Sequence, residues 1–304
     1  MSEEKKGILL DSGTNELEIV TYTVGKNLFS INVMKVREII HPSYVTPIPE
    51  SHPAVEGVLQ VRGEIIPVIN LAAALGIQST TAQEDSKFII AELNQMKVVF
   101  RVDEVHRIQR ISWQQIEEPS SLSMGLEDTT SGIVKLDEKL ILMLDYEKLV
   151  YDISPSTNMS VKEIEKSSEK SIERSDKVIY VAEDSAMLRQ LLEDTLRASG
   201  YNNLTFFKNG EEALTHIESI AKVNKITDVV HLLITDIEMP KMDGHHLTKQ
   251  IKDNPNTQQL PVVIFSSLIS NELRHKGDVV GANAQVSKPE IKTLINAIDN
   301  LLLI

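Results

Sequence analysis

The chain carries two different patterns of hydrophobic and polar positions. Up to residue 151, short runs alternate between apolar and polar side chains, and this period of two predicts half-buried strands. From residue 176 onward, short apolar runs end in acidic or hydroxyl side chains, as expected for strands of an open α/β sheet. The pattern therefore predicts two domains, at 15–151 and 176–304, preceded by a loose tail.

The predicted strands of the first half follow one another closely. Leu17–Val24 and Leu28–Val33 flank a turn that begins at Gly25, which is typical of a hairpin. Two β-rich runs within Val55–Leu71 meet at a tight polar turn, residues 62–64. Further strands are expected at Phe88–Leu93, Val98–Val102, Ile133–Leu136 and Leu140–Leu144. So many short strands at this spacing predict small β-barrels.

Few segments of this half have a helical pattern. The apolar residues of Met34–Ile40 fall at helix-like spacing. An alanine-rich stretch, Leu71–Leu75, predicts a short helix that ends at Gly76.

Residues 152–175 differ from both halves. The segment is rich in serine, with lysine and glutamate interspersed and few apolar residues. Such a composition buries too little apolar surface to offset the entropy lost on ordering. The sequence therefore predicts a flexible or weakly helical linker.

Three acidic side chains follow two strands of the second half. The apolar strand that starts at Leu232 ends in Asp236, and Lys177–Val181 is followed by Glu183 and Asp184. Ligands bind beyond the carboxyl ends of strands in such sheets, so these carboxylates are expected to share one edge. Their mutual repulsion requires a hard cation, and an open oxygen site of this kind suits Mg²⁺.

Two more strand ends carry a hydroxyl and an amine. Pro261–Phe265 runs into Ser266, and the strand that starts at Ala284 leads to Lys288. The order of acid pair, acid, hydroxyl and lysine resembles the receiver domain of two-component response regulators over residues 176–304. The resemblance implies a flavodoxin-like α/β fold with a parallel five-stranded sheet. It also implies a site made of Asp236 as phospho-acceptor, Glu183, Asp184 and the backbone carbonyl of Glu238 as further Mg²⁺ ligands, and Ser266 and Lys288 as phosphoryl contacts.

One position departs from that family pattern. Many receivers carry an aromatic residue three places before the lysine, and this chain has Gln285 there. Two interpretations stay open: Gln285 signals by hydrogen bonding, or the output lies elsewhere on the domain.

The first half resembles the CheW-like coupling domain of bacterial chemotaxis over residues 15–151. The resemblance rests on Gly57, on the string RGxxIPVxxL that begins at Arg62, on Val33–Ile39 and on Gly132–Leu149. It implies two SH3-like β-barrels and an adaptor that binds a chemotaxis histidine kinase of the CheA type and the cytoplasmic tip of chemoreceptors. The matching positions for partner contact are Val36, Glu38 and Arg62.

Each of these residues also has a purely structural interpretation. Val36 fits a core position, because apolar residues at that spacing usually pack inside. Glu38 and Arg62 fit ordinary solvated charges, although arginine is enriched at interface hot spots. Asp184 fits a helix N-cap, and for Asp243, next to a glycine, the turn or cap role is the expected one.

Composition excludes several classes of function. The formal net charge of −13 argues against nucleic-acid binding and against anionic membrane surfaces. The chain has no cysteine, no apolar run of the ~18 residues needed for a membrane span and no signal-peptide pattern at its start, so we expect neither disulfides nor membrane insertion. The adjacent His245 and His246 predict a solvated loop or helix start rather than a metal site.

Together the two resemblances imply a cytoplasmic chemotaxis adaptor, associated with membrane receptor arrays through its partners. Phosphorylation of Asp236 would adjust receptor–kinase coupling as an adaptation signal, and the only catalysis expected is the receiver's own phosphotransfer and dephosphorylation. Two other classes of function fit the sequence less well. A phospho-aspartyl hydrolase usually has an aspartate where Glu238 stands, and a transcriptional regulator needs a basic DNA-reading domain where this chain is β-rich and acidic.

Overall fold

The structure is a computed structural model, and it describes residues 16–94, 96–117, 129–136, 139–154, 173–268 and 271–303. These residues form two compact units, which lie within Glu16–Asn158 and Met159–Ile304. The predicted tail at 1–15 lies outside the described residues, as does most of the predicted linker at 152–175.

The first unit is built from two antiparallel-rich sheets. Its elements are β1 (Glu16–Val24), β2 (Asn27–Asn32), β3 (Val36–Ile40), β4 (Val55–Val61), β5 (Glu64–Asn70), α1 (Leu71–Ala74), β6 (Lys87–Leu93), β7 (Met96–Val102), β8 (Glu104–Ser112), β9 (Ile116–Glu117), β10 (Thr130–Leu136), β11 (Lys139–Leu144) and α2 (Tyr146–Ile153). The strand orders are β8-β1-β2-β11-β10-β9 and β3-β6-β7-β5-β4. In each sheet the two outermost strands are consecutive in the chain, as a small closed barrel requires. The predicted all-β fold of two barrels is confirmed.

Two predicted turns form as expected. β1 and β2 pair as an antiparallel hairpin, and β4 and β5 do the same. At the β4–β5 turn both Arg62 and Gly63 adopt positive φ, 50° and 88°. This pair of left-handed residues matches the right-handed twist of the two strands, which is why the polar dipeptide fits there.

The helix-like spacing in Met34–Ile40 was a wrong guide. A 3₁₀ turn at Val33–Lys35 leads directly into strand β3. β3 pairs with β6, with Ile39 opposite Ile89, and its β-branched residues suit a strand. Pairing with a partner strand therefore overrides the local pattern.

The second unit is a parallel sheet with helices on both faces. Its elements are β12 (Val178–Ala182), α3 (Ala186–Ala198), β13 (Asn203–Phe207), α4 (Gly210–Ala221), β14 (Leu232–Thr235), α5 (Gly244–Asp253), β15 (Val262–Ser266), α6 (Asn271–Val279), β16 (Ala284–Ser287) and α7 (Ile291–Leu302). The five strands run in the order β13-β12-β14-β15-β16, and all neighbouring pairs are parallel. The predicted parallel five-stranded sheet is confirmed. Within the described ranges, no helix is both long and apolar enough to cross a membrane.

Successive residues of β12 point into two separate cores. Ile179 and Val181 pack in one core with residues of α3 and α7, whereas Tyr180 packs in the other with residues of α4 and α5. This is why the strand is apolar at every position. The carboxyl ends of all five strands consequently meet at one edge of the sheet.

The start of α5 corrects one expectation. Asp243 caps the helix by accepting a hydrogen bond from the His246 amide at 2.8 Å, as predicted. His245, however, is 1% exposed rather than solvated, and its imidazole donates to the Leu273 carbonyl on α6. Burial, together with the nearby Lys276 ammonium, lowers the pKa of His245 to about 3.

A buried ion pair fastens the beginning of this unit to its last helix. The Arg174 guanidinium donates to both carboxylate oxygens of Asp299, at 2.9 and 2.5 Å, and to the Ser199 carbonyl at 2.7 Å. The Tyr201 hydroxyl donates to the same carboxylate at 2.7 Å. All of these groups are removed from water, so each depends on the others for its hydrogen bonds.

Replacing Asp299 by alanine is expected to lower the free energy of unfolding of this unit by about 3–5 kcal/mol, because the Arg174 charge is left buried without a partner. The matched control is Glu193→Ala, which removes an exposed helical ion pair with Arg197 and should change stability by less than about 1 kcal/mol. Urea unfolding followed by helical circular dichroism measures both. Equal effects of the two variants would contradict the role given to the buried pair.

Replacing His245 by leucine is expected to remove part of the acid sensitivity of this unit. Since the folded-state pKa lies below the unfolded value, the unfolded chain binds the proton first, and stability falls as the pH drops below about 6.5. This one group accounts for about 2 kcal/mol between about pH 7 and about pH 5. Unfolding at a series of pH values should therefore give a shallower slope for His245→Leu than for wild type. His275→Leu, at an exposed position of the same unit, is the control for loss of an imidazole, and a His245→Leu slope equal to wild type would contradict the assignment.

Candidate functional site

The acidic residues that follow β12 and β14 lie together. These two strands are neighbours, with Ala182 opposite Thr235 at their ends, so the residues that follow them are brought side by side. One carboxylate oxygen from each of Glu183, Asp184 and Asp236 falls within 4.8 Å of the others. The shared edge that the sequence pattern predicts is therefore present.

Lys288 reaches the same place from β16. Its ammonium donates to Glu183 Oε2 at 2.8 Å and to Asp236 Oδ2 at 3.0 Å, and all three side chains are buried. Burial lowers the pKa of Lys288, but the two carboxylates more than reverse this, so its pKa lies above the usual value. The lysine is thus a permanent positive charge inside the acidic cluster.

The two buried carboxylates are held differently. Burial and the Asp236 charge raise the pKa of Glu183, against the opposing pull of Lys288, and the Ser185 amide donates to Glu183 Oε1 at 3.3 Å. Asp236 Oδ1 accepts the Ile237 amide at 2.6 Å, which leaves Oδ2 facing the ammonium. One ammonium offsets the charge of only one of the three carboxylates, so the net negative charge of the cluster favours binding of another cation.

A residue that sequence reasoning missed fixes the backbone here. The Arg189 guanidinium, on the first turns of α3, donates to the carbonyls of Glu183 at 2.7 Å and Asp184 at 2.6 Å. The cap of α3 is Ser185, whose hydroxyl accepts the Leu188 amide, so the alternative role of Asp184 as N-cap is wrong. No sequence signal marks Arg189, because its partners are main-chain carbonyls.

The other predicted residues surround the cluster. Ser266 is fully buried at the end of β15, and its hydroxyl oxygen accepts the Leu268 amide at 3.3 Å. Glu238 lies half-buried in the loop that follows Asp236. Gln285 lies on β16 and its amide is turned toward α6, where it donates to the Arg274 carbonyl at 2.8 Å.

The donor set fits the predicted metal. Three carboxylates with close oxygen atoms offer hard ligands, which magnesium prefers over nitrogen or sulfur. Glu183, Asp184 and Asp236 are the residues that could hold it, with the Glu238 carbonyl in the adjoining loop. Among the residues that the structure describes, these three acids are the one cluster of this kind.

A second candidate surface lies on the first unit. A groove of about 400 Å³ is lined by Arg37, Glu38, Val61, Arg62, Glu64, Ile90, Glu92 and Lys97. We call it the charged groove. Three ion pairs run along it: Arg37–Glu92 at 2.9 Å, Arg62–Glu38 at 2.9 Å and Lys97–Glu64 at 2.5 Å.

The predicted partner residues differ in their position relative to this groove. Arg62, whose side chain is 80% exposed, lies in the turn after β4 and pairs with Glu38 on β3; β4 and β3 are the two outermost strands of their sheet. Arg62 and Glu38 are therefore paired with each other rather than separately solvated. Val36 does not line the groove; it packs partly buried against the core of the unit, as its structural interpretation expects.

Each half of the chain matches the model of a known domain family. The family model of the CheW-like domain matches residues 18–154, and that of the response regulator receiver domain matches residues 179–299. A crystal structure of the scaffolding protein TtCheW from Thermoanaerobacter tengcongensis is 32% identical over 42% of this chain and 88% of its own, with a TM-score of 0.41.

Three chemotaxis proteins of Helicobacter pylori span both halves, and two of them illustrate the match. Chemotaxis protein CheV3 of Helicobacter pylori is 29% identical over 96% of this chain and 96% of its own length. Chemotaxis protein CheV2 of the same organism is 30% identical over 87% of this chain and 86% of its own. With a CheW-like domain followed by a receiver domain and relatives matched over nearly their whole length, the chain belongs to the CheV family of chemotaxis proteins.

Proposed function

We propose that this protein couples chemoreceptors to a chemotaxis histidine kinase through its CheW-like domain, and that phosphorylation of Asp236 adjusts the coupling during adaptation. The observation that carries the proposal is the buried Lys288 ammonium, which contacts Asp236 inside a cluster of three carboxylates. Phosphoryl transfer requires this combination, since positioning and cancellation of charge do most of the catalytic work.

The reaction proposed at Asp236 forms one bond to phosphorus and breaks another. A carboxylate oxygen of Asp236 forms a bond to phosphorus while the phosphorus–nitrogen bond of the kinase phosphohistidine breaks. The electron pair stays with the imidazole nitrogen, which takes up a proton from water. The receiver thus catalyses its own phosphotransfer, and attack of water on the acyl phosphate reverses the modification.

The side chains around Asp236 have separate tasks in this reaction. Lys288 already donates to Asp236 Oδ2 and would turn to a phosphoryl oxygen, whose negative charge it offsets. Glu183, Asp184, Asp236 and the Glu238 carbonyl would hold Mg²⁺, which supplies positive charge against the phosphoryl oxygens when bound.

Ser266 would contact another phosphoryl oxygen. Its hydroxyl oxygen accepts the Leu268 amide, and a hydroxyl that accepts one hydrogen bond still has its own proton to donate. A bond from Ser266 to a phosphoryl oxygen would therefore pull on the loop that leads to α6. This converts a local charge into a change of shape.

The CheW-like domain supplies the partner surfaces. We assign partner contact to the charged groove, with Arg62 and Glu38 at its seam, and to Val36 nearby in sequence. An exposed isoleucine, Ile65, follows the β4–β5 turn with 72% of its surface open to solvent. Exposed apolar area beside arginine is a common composition for an interface hot spot.

The two domains gain from being in one chain. When the adaptor half is bound beside the kinase, the receiver is held near the phosphohistidine at high effective concentration, so phosphotransfer does not require tight binding. The protein would accordingly work in the cytoplasm, held at membrane receptor arrays by its partners.

Asp236→Asn is expected to fold normally and to accept no phosphoryl group, because the amide lacks the nucleophilic oxygen charge. The measurement is transfer of radiolabelled phosphate from an autophosphorylated chemotaxis kinase to the full chain in the presence of Mg²⁺. Asp253→Asn, a change of an exposed acid on α5 of the same domain, serves as the control and should label like wild type. Strong labelling of Asp236→Asn would refute the acceptor assignment.

Reversal of one charge at the seam of the charged groove is expected to weaken partner binding. Arg62→Glu or Glu38→Arg should each lower affinity for the kinase regulatory domain or a receptor fragment by about tenfold or more, as loss of an interface arginine typically does. The double variant restores the internal ion pair but not the contact with the partner, so it should remain weak. Lys135→Glu, which alters an exposed ion pair with Glu117, is the control. Wild-type affinity of the double variant would show that the pair only closes the barrel.

A further inference from the structure

The side chain of Gln285 is docked against α6. Its amide nitrogen donates to the Arg274 carbonyl at 2.8 Å and to Asp278 Oδ1 at 2.7 Å. Both neighbours are acceptors, which settles the orientation of the amide, since only its nitrogen has protons to offer. β16, an edge strand of the sheet, is thereby tied to α6 by two hydrogen bonds.

Gly277 makes room for this amide. The glycine is buried within α6, and a Cβ placed on it would come within 2.2 Å of Gln285 Oε1 and 2.4 Å of Gln285 Cδ. Glycine inside a helix is unfavourable relative to alanine, so its presence here calls for a packing reason. The amide of Gln285 occupies the space that any other residue at 277 would fill.

The docked amide has one polar atom whose hydrogen bonding is not satisfied. Gln285 Oε1 is buried, and no donor among the described residues reaches it. An acceptor without a partner offsets much of what the two hydrogen bonds contribute. Release of the amide would let water bond this oxygen, so the docked and released states are close in free energy.

The docked amide lies between the two elements that phosphorylation would move. Along β16, Gln285 is three residues before Lys288, the group that contacts Asp236. α6 begins at Asn271, five residues after Ser266. A loop movement that carries the Ser266 hydroxyl to a phosphoryl group must therefore shift the start of α6 relative to β16.

We propose that Gln285 and Gly277 form a latch that holds α6 in the arrangement of the unmodified receiver, and that phosphorylation of Asp236 has to release it. This inference rests on the proposed phosphorylation of Asp236. The latch takes the place of the aromatic switch residue, and it works by docking and release of an amide on a helix rather than by rotation of a ring.

The latch has a thermodynamic consequence. The latch stabilises only the unmodified arrangement of α6. Any change that breaks the latch therefore lowers the free-energy difference between the unmodified and the activated arrangements. A ligand that binds the activated arrangement then binds more tightly, by about fivefold for two hydrogen bonds partly offset by the unpaired oxygen.

The test uses the full chain and beryllofluoride with excess Mg²⁺, a mimic of the aspartyl phosphate, titrated by calorimetry. Gln285→Ala removes the amide, and Gly277→Ala expels it while leaving Gln285 in the sequence. Each should tighten the apparent Kd for beryllofluoride about fivefold. The double variant should bind no more tightly than either single variant, because both changes remove the same contact. Val279→Ala, which adds helix propensity at an exposed position of α6, is the matched control and should bind like wild type.

The possible outcomes distinguish failure of the latch proposal from failure of the proposed phosphorylation of Asp236. Unchanged or weaker binding by both single variants, or additive effects in the double variant, would overturn the latch while leaving Asp236 as acceptor. Failure of the wild-type chain to bind beryllofluoride, with or without Mg²⁺, would overturn the proposed phosphorylation and the latch that depends on it. Amide hydrogen exchange in residues 273–279 gives a second measurement: it should be faster in both single variants before any beryllofluoride is added, and equal rates would overturn the latch.

Discussion

The receiver half depends on one buried ammonium group held between two carboxylates. Lys288 contacts Glu183 and Asp236 at 2.8 and 3.0 Å, and these three side chains are supplied by the ends of three different strands. Removal of the ammonium would leave two buried carboxylates without the charge that offsets them, which is far more destabilising than loss of a surface pair. The parallel sheet is what makes the arrangement possible, because only parallel strands deliver their carboxyl ends to one edge. Asp236, the proposed phospho-acceptor, is therefore held in contact with a lysine that another strand of the same sheet supplies.

The charged groove of the adaptor half uses charge in the opposite way. The ion pairs of the charged groove are largely exposed, and exposed pairs contribute little to stability. Complementary charges at a surface mainly set partner choice and the rate of encounter. The charges are therefore tightly coupled at the site where chemistry is proposed and loosely coupled at the groove where binding is proposed.

Much of the fold and the chemistry of the strand ends could be predicted from the sequence, because strand periodicity and turn residues are local signals. They predicted the barrel hairpins and the meeting of Glu183, Asp184 and Asp236, whereas the parallel five-stranded sheet was implied by the family resemblance. They failed where distant contacts decide: Val36–Ile40 forms a strand by pairing with β6, and β8 was not assigned at all. Arg174 and Asp299, which are 125 residues apart, carry no signal that would join them. Arg189 binds main-chain carbonyls, which every residue has, so its partners left no trace in the sequence.

The internal pairing of the charged groove has a consequence for ionic strength. Its three cations and three anions neutralise one another, so the groove presents alternating rather than uniform charge to an approaching protein. Added salt screens the attraction of a partner, but it equally weakens the internal pairs with which that partner has to compete. Binding at this surface should therefore change less with salt than binding at a patch of one sign, and it would keep its strength when the ionic composition of the cell fluctuates.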